Sequence, residues 1–98
     1  MELRWTKSAL YDLENIRNYI ANDSEFYAFR LTEKIFQAVE KLKFFPESGR
    51  IVPVVAIKNI REIILMNYRI IYKPEEDFIY ILAIVHSARD FKNIKLEP

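Results

Sequence analysis

Apolar residues recur with two different periods along the chain, which separates a helical front half from a strand-rich back half. Polar and apolar residues alternate from Glu2 to Trp5, and this alternation predicts a short first strand. Thr6 then offers a side-chain oxygen that would cap a helix beginning at Lys7. The helical spacing of this first helix is carried by Leu10, Leu13, Ile16 and Ile20.

A second amphipathic helix follows after a very short connection. Asn22, Asp23 and Ser24 would end the first helix and cap the second one. The apolar stripe of the second helix consists of Ala28, Leu31, Ile35, Ala38, Val39 and Leu42. Because so short a loop joins two amphipathic helices, we expect an antiparallel helical hairpin.

The back half of the chain is rich in Ile, Val and Tyr and has lost the helical period. Pro46, Ser48 and Gly49 end the helical half. A tight turn is expected near Asn67, a residue type that tolerates left-handed backbone geometry. The predicted strands are Ile60 to Met66, Tyr68 to Lys73 and, after an acidic turn at Pro74 to Asp77, Phe78 to His86. The last of these is almost wholly apolar and should be central and covered.

The order β-α-α-β-β-β predicts one α+β domain over residues 1–98, with the helical hairpin packed on one face of a small, mainly antiparallel sheet. One hairpin cannot cover two faces, so the second face is expected to be open to solvent, a partner or a substrate. Side chains alternate along a strand, which places Tyr68, Ile70 and Tyr72 toward the helices and Arg69 away from them.

The composition excludes several classes of function. A single glycine rules out a Gly-rich phosphate loop, and one histidine without any cysteine rules out structural zinc, thiol chemistry and disulfides. Glu75, Glu76 and Asp77 are contiguous, unlike the ligands of a calcium loop, so we expect neither a metal nor a cofactor. No apolar run is long enough to cross a bilayer, and the charged N-terminus lacks a signal-peptide core, so a cytoplasmic location is expected.

Positive charge is concentrated in one part of a nearly neutral chain. The formal net charge is +1, whereas residues 50–73 carry five basic groups against Glu62 alone. These groups are Arg50, Lys58, Arg61, Arg69 and Lys73, and Arg89 follows the last strand. Such clustering indicates a specific anionic contact, although charges on a wet strand face would give the same pattern. For Arg69 the structural alternative is a cross-strand ion pair with Glu62.

The histidine and the aromatic residues also have structural alternatives. His86 is the only imidazole and ends an apolar strand, where it could exchange a proton at a phosphodiester or serve the structure alone. The tyrosines and phenylalanines of the helices, and Trp5, are expected to lie in the core rather than to form base-stacking platforms.

The whole pattern resembles the RelE/ParE superfamily of bacterial and archaeal type II toxins. The resemblance covers nearly the full chain in the right order. It is carried by Trp5-Thr6, Asp12-Leu13, Tyr19-Ile20, Phe45-Pro46, Gly49-Arg50, Arg61-Glu62-Ile63, Tyr68-Arg69-Ile70-Ile71-Tyr72 and Ile84-Val85-His86-Ser87-Ala88-Arg89-Asp90. It implies the toxin of a toxin-antitoxin, or plasmid stabilisation, system that is neutralised in a hetero-oligomer by a cognate antitoxin.

The resemblance implies one of two targets. ParE-like members inhibit DNA gyrase, whereas RelE-like members cleave messenger RNA on the ribosome without a metal. In the nuclease branch a base and an acid move protons while arginines stabilise the phosphate charge. There the resemblance assigns catalysis to Arg61, Arg69, His86 and Arg89 and RNA binding to Arg50, Lys58 and Lys73.

Low net charge favours the gyrase branch, because RNA affinity depends on the neutralisation of phosphates. The ending from His86 to Asp90 also looks more like that branch. An inactive relative that keeps only its antitoxin partnership is the third alternative. In each case we expect an antitoxin segment on the open sheet face and beside the helices. The apolar stretch Ile51 to Ile57 is the strongest reason for this expectation.

Overall fold

The computed structural model describes residues 1–52 and 58–87 of the chain. Within these ranges the predicted α+β order is confirmed, with one short additional strand at the start of the back half. The elements in chain order are β1 (Glu2–Trp5), α1 (Lys7–Ala21), α2 (Glu25–Lys41), β2 (Arg50–Ile51), β3 (Arg61–Leu65), β4 (Tyr68–Pro74) and β5 (Phe78–His86).

The two helices begin at the predicted caps. The Thr6 hydroxyl accepts a hydrogen bond from the Ala9 backbone N–H at 3.1 Å, and the Ser24 hydroxyl accepts one from the Tyr27 N–H at 3.2 Å. The predicted inner stripe of α1 was wrong at one position, because Leu10 is 48% exposed and Ala9 takes its place. The stripe of α1 is therefore Ala9, Leu13, Ile16 and Ile20, and its members are still three or four residues apart.

The sheet is mixed but mainly antiparallel, as predicted. Its strand order is β1-β5-β4-β3-β2. β3, β4 and β5 form an antiparallel meander, β2 lies antiparallel to β3, and β1 pairs parallel with β5. The parallel pair arises because the chain crosses over through the helical hairpin between the two strands. β5 is therefore an interior strand, as its apolar sequence predicted.

The turn between β3 and β4 differs from its prediction in one detail. The turn occupies Met66 and Asn67, but the residue with left-handed backbone geometry is Met66, with φ of 56°. Leu65 pairs with Tyr68, so only two residues connect the strands, and tight hairpin turns of this length require left-handed geometry. This requirement outweighs the free energy that a side chain at positive φ costs.

The main core lies between the hairpin and the sheet. The helices contribute Ala9, Leu13, Leu31, Ile35, Val39 and Leu42, and the strands contribute Ile70, Tyr72, Ile79, Ile81 and Ile84. Trp5 packs against this cluster, as predicted, with its ring 5.4 Å from that of Phe36.

The second sheet face carries a smaller apolar cluster, which corrects the expectation that this face is open. Val52 and Ile60 lie in this cluster, and the Val52 N–H donates to the Ile60 carbonyl at 2.9 Å. The sheet residues of the cluster are Ile71, Leu82, Ala83 and Val85, none of them more than 4% exposed. The cause is the sequence of β5, which is apolar on both faces and must be covered on both. Of the stretch Ile51 to Ile57, residues 53–57 lie outside the described ranges.

A bulge in β5 fits the sheet to the helices. Ile71 pairs with Ala83 and Tyr72 with Ile81, so Leu82 is one residue extra. The Thr6 hydroxyl donates to the Ile81 carbonyl at 2.8 Å and approaches the Leu82 carbonyl at 3.3 Å.

A carboxylate of α1 reaches the same strand. Asp12 Oδ2 accepts a hydrogen bond from the Ile84 N–H at 3.0 Å. Side chains of the first helical segment thus bond backbone groups on both sides of the bulge.

The only glycine of the chain closes the segment that follows α2. The Tyr72 hydroxyl accepts a hydrogen bond from the Gly49 N–H at 2.8 Å and donates to the Pro46 carbonyl at 2.9 Å. A Cβ atom on Gly49 would lie 2.6 Å from that hydroxyl and 2.7 Å from the Glu62 carbonyl oxygen. Burial is the main cause that raises the pKa of Tyr72, and its bond from Gly49 opposes the rise.

We predict that Thr6→Val lowers the free energy of unfolding by about 2 kcal/mol or more, because it removes both a helix cap and a buried bond to β5. Ser24→Ala is the matched control, since it removes a cap alone and should cost about 1 kcal/mol. Urea unfolding followed by circular dichroism measures both. Equal losses would contradict the role of Thr6 at the bulge.

We predict that Gly49→Ala lowers the free energy of unfolding by about 1–3 kcal/mol, because the added methyl group meets Tyr72 and the Glu62 backbone. Ser8→Ala, at an exposed position of α1, should change it by less than about 0.5 kcal/mol. Adding Tyr72→Phe to Gly49→Ala should cost less than the sum of the two single changes. Thermal unfolding of all four variants would test this, and a neutral Gly49→Ala would show that the segment has room to move.

Candidate functional site

Strand alternation in β4 is as predicted. Tyr68, Ile70 and Tyr72 pack toward the helices, whereas Ile71 belongs to the cluster on the second face. Arg69 lies between Tyr68 and Ile70 and therefore points to the second face.

Arg69 forms the predicted ion pair with Glu62. Arg69 Nη1 lies 3.8 Å from Glu62 Oε1, and its Nη2 donates to the Ser87 carbonyl at 2.5 Å. A second arginine meets the same oxygen, with Arg50 Nη2 at 3.6 Å. The Glu62 side chain is 3% exposed, against 17% for Arg69 and 68% for Arg50.

Arg50, Arg69 and Glu62 form a charged site on the second face, and we call its two arginines the arginine pair. Among the described residues Glu62 Oε1 accepts no hydrogen bond, and the two guanidinium groups at ion-pair distance balance its charge. Arg50 is the more exposed of the two arginines, so it can contact an anionic group while Glu62 keeps Arg69 in place.

Arg61 does not lie beside Arg69, although the resemblance assigns both residues to the same catalytic group. Its Nη1 donates to the carbonyls of Gly49 at 2.8 Å and Glu47 at 3.1 Å, and its Nε donates to Asn59 Oδ1 at 3.0 Å. Arg61 pairs with Tyr72 across the strands, so it points to the helix side. The structure thus uses this guanidinium to hold the segment before β2.

His86 is exposed at the end of β5 and lies on the opposite face from Arg69. It pairs in register with Tyr68, and the two rings meet edge to face at 5.8 Å. Burial raises the pKa of the Tyr68 hydroxyl, and the nearby Tyr19 raises it further. The histidine and the arginine pair are therefore not brought together.

The remaining predicted residues are also dispersed. Lys58 is exposed in a turn, and Lys73 Nζ forms an ion pair with Glu75 Oε1 at 3.0 Å. Arg89 lies outside the described ranges. Of the basic set, the described structure brings only Arg50 and Arg69 together.

The expectation that the helical aromatic residues lie in the core was wrong for all six of them. The core face of each helix is filled by smaller aliphatic residues, and the aromatic rings point outward. All six are at least 42% exposed, namely Tyr11, Tyr19, Phe26, Tyr27, Phe29 and Phe36. The signal was available in the sequence, since all six are out of phase with the buried stripes of α1 and α2.

Part of this aromatic surface borders a groove of about 460 Å³ between the start of α2 and the β3–β4 turn. Ile20 and Leu31 contribute aliphatic surface to it. We call it the hairpin groove, and its walls are formed by Phe26, Tyr27, Arg30 and Lys34 on one side and Met66 and Tyr68 on the other. The sequence predicts a partner surface beside the helices, but it did not identify these lining residues.

The residues that the structure describes contain no group of three His, Cys, Asp or Glu side chains placed to hold a metal ion. None of their helices combines the length and apolar character that a membrane span requires.

Comparison with known proteins gives a consistent result. The profile of the ParE toxin of type II toxin–antitoxin system, parDE, matches residues 3–91. The chain is 35% identical over 86 residues to Toxin RelE2 of Caulobacter vibrioides, covering 87% of this chain and 93% of that protein. It is 34% identical over 94 residues to Y4kP of Sinorhizobium fredii, covering 94% of each chain.

A solved structure shares the fold. It is described as the chromosomal ParDE TA system from P. aeruginosa, and it superimposes with a TM-score of 0.73 at 24% identity. The match covers 88% of this chain and 95% of that chain.

We predict that Arg69→Ala lowers the free energy of unfolding by about 1–3 kcal/mol, because it leaves the buried Glu62 carboxylate with one exposed partner. Arg50→Ala is the matched control on the same carboxylate and should cost at most about 1 kcal/mol. Adding Glu62→Gln to Arg69→Ala should recover part of the loss by removing the buried charge. Denaturant unfolding measures all three, and equal costs for the two arginines would contradict this assignment.

Proposed function

The chain belongs to the ParE toxin family of type II toxin-antitoxin systems, and from this membership we propose that it arrests growth by binding DNA gyrase rather than by cleaving RNA. The observation that carries the proposal is the separation of the candidate nuclease residues. RNA cleavage needs a base, an acid and cations that converge on one phosphate.

The geometry behind this argument concerns three side chains. Arg61 is bonded to two backbone carbonyls on the helix side of β3. Arg69 lies on the second face against Glu62, and His86 lies against Tyr68. An arrangement of this kind supports a binding surface better than a reaction centre. The exposed face of α1 is the candidate contact with gyrase, together with the C-terminal segment, which lies outside the described ranges beyond Ser87.

Ribosome-dependent RNA cleavage is the second candidate, and one observation favours it. Arg50 and Arg69 lie side by side on a single sheet face, where they could contact the phosphates of an RNA strand. In that case Arg69, His86, Arg61 and Arg89 would be the groups to test for catalysis, with Lys58 and Lys73 as further phosphate contacts.

The partnership with an antitoxin is common to both candidates. Family membership supports it, and a solved relative of the same fold is described as a ParDE system. Both candidate targets are cytoplasmic, so we propose that the chain acts in the cytoplasm. If the chain proves not to be toxic, the third alternative follows, namely an inactive relative that only binds its antitoxin.

We expect induced expression to stop thymidine incorporation before methionine incorporation, because a gyrase inhibitor blocks replication first. Both labels are followed in one culture, and purified chain is added to a gyrase supercoiling assay. The Arg69→Ala/Glu62→Gln variant should inhibit gyrase as wild type does, since it removes a candidate catalytic cation without leaving a buried charge.

Two results would contradict the gyrase proposal. Methionine incorporation that fails within minutes while DNA synthesis continues, with toxicity lost in Arg69→Ala/Glu62→Gln, would establish the nuclease. If the folded protein accumulates and neither label changes, the chain is an inactive relative that only binds its antitoxin. Circular dichroism of each variant shows that a lost effect does not come from unfolding.

A further inference from the structure

β1 forms one edge of the sheet, and part of its backbone faces outward. The strand order places β5 on one side of β1 and no strand of the described residues on the other. The N–H groups of Glu2 and Thr6 donate to carbonyls on the β5 side, each at 3.1 Å. Because backbone groups alternate in direction along a strand, Leu3 and Trp5 direct their N–H and C=O groups to the open edge. An open edge of this kind is a template for a further strand.

The two faces of β1 differ in character. Leu3 and Trp5 pack toward the main core but remain partly accessible. Glu2 and Arg4 point to the second face, where the Glu2 side chain is 63% exposed and the Arg4 side chain 52%. Arg4 Nε lies 3.2 Å from Glu2 Oε1, and its guanidinium carbon lies 4.4 Å from the centre of the Phe78 ring. The edge therefore presents an anion and a cation on alternate residues of one strand.

Antiparallel self-pairing of β1 has one register in which these charges match. If Leu3 pairs with Leu3 of a second copy, the two residues exchange both hydrogen bonds of a pair. Glu2 of each copy then lies opposite Arg4 of the other. A shift by two residues places Arg4 opposite Arg4 in one direction and Glu2 opposite Glu2 in the other, and like charges directly opposite each other destabilise a sheet. Odd shifts would leave the outward N–H and C=O groups without partners.

The same register joins apolar surface on the helix side of the sheet. Met1 comes opposite Trp5 of the second copy, on either side of the Leu3 pair. Met1 is 42% exposed, and Phe36, whose ring contacts Trp5, is also 42% exposed. Pairing would thus remove apolar surface from water. β1 has only 4 residues, so the contact is small beside the roughly 800 Å² per partner of a standard interface, and the dimer should dissociate on dilution.

We propose that β1 is a self-association site, at which two copies of this chain join their sheets through antiparallel β1 strands in the Leu3–Leu3 register. The occupant is a second copy because the edge is complementary to itself in charge, whereas an edge with one sign of charge would repel its own copy. The inference does not depend on the proposed function. The arginine pair lies on β2 and β4 and the hairpin groove beside the β3–β4 turn, away from β1 in the sheet order, so both stay accessible in the dimer.

Sedimentation velocity of the full chain over a wide concentration range tests the proposal. The wild type should shift from monomer to dimer as its concentration rises. Glu2→Arg and Arg4→Glu should each raise the dissociation constant about tenfold or more, since each places like charges opposite one another on both sides of the Leu3 pair. Glu14→Arg and Arg17→Glu, at exposed positions of α1, are the matched controls with the same changes of charge and should stay within about twofold of wild type.

A charge swap separates the register from a general effect of charge. The double variant Glu2→Arg/Arg4→Glu reverses both partners and should recover most of the wild-type association. A mixture of the two single variants should form a heterodimer more tightly than either variant associates with itself, because one copy then presents only cations and the other only anions. A folding defect in either variant would give neither result, and circular dichroism of each verifies the fold.

Amide hydrogen exchange locates the contact on the chain. The Leu3 and Trp5 N–H groups should exchange quickly in dilute protein and become protected as the dimer forms. The Arg4 N–H faces β5 and should be protected at every concentration, which makes it the internal reference.

Four results would overturn the inference. A chain that stays monomeric at millimolar concentration has no such site, and a dimer that neither single variant weakens uses another contact. Concentration-dependent protection at the hairpin groove in place of β1 would assign self-association to that surface. Protection of Leu3 and Trp5 that appears only when the antitoxin is added would assign the edge to that partner instead of a second copy.

Discussion

β5 contains one residue more than the segment of β4 that it faces, and the packing of the two layers depends on that residue. Ile81 and Ile84 are three positions apart, so on a regular strand they would point to opposite faces. The bulge at Leu82 turns both toward the helices. Backbone groups displaced by a buried bulge need partners, and the side chains of Thr6 and Asp12 supply them. The first strand, the first helix and the last strand are thereby bonded into one unit.

The second sheet face divides into an apolar part and a charged part. Toward β5 it is covered with aliphatic side chains, while toward β3 the buried Glu62 carboxylate holds Arg69 and meets Arg50. Holding Arg69 through a buried anion fixes its position but reduces the local positive charge. This arrangement suits a rigid binding surface, and it accounts for how an arginine can lie between apolar neighbours on an interior strand.

The helical hairpin performs two separate tasks. Small aliphatic residues on its inner side fill the core, so the large rings and the cations remain outside, where they border the hairpin groove. A domain of this size has a limited interior, and a larger one would be needed to bury the six helical aromatic residues together with Phe44 and Phe45, which follow α2. The exposed rings are thus available for a partner at no cost to the core.

The sequence by itself determined the element order, the caps at Thr6 and Ser24, and the direction in which Arg69 points, because these follow from local hydrogen bonding and from strand alternation. Even the Arg69–Glu62 pair could be predicted, because the two residues have opposite charges and lie on strands predicted to be neighbours. Only the tertiary structure decided the rest. It separated Arg61 and His86 from Arg69, placed a bulge at Leu82 and joined α2 to the β3–β4 turn in one groove. Such contacts link residues distant along the chain, and their geometry depends on how whole layers pack, which no local pattern encodes.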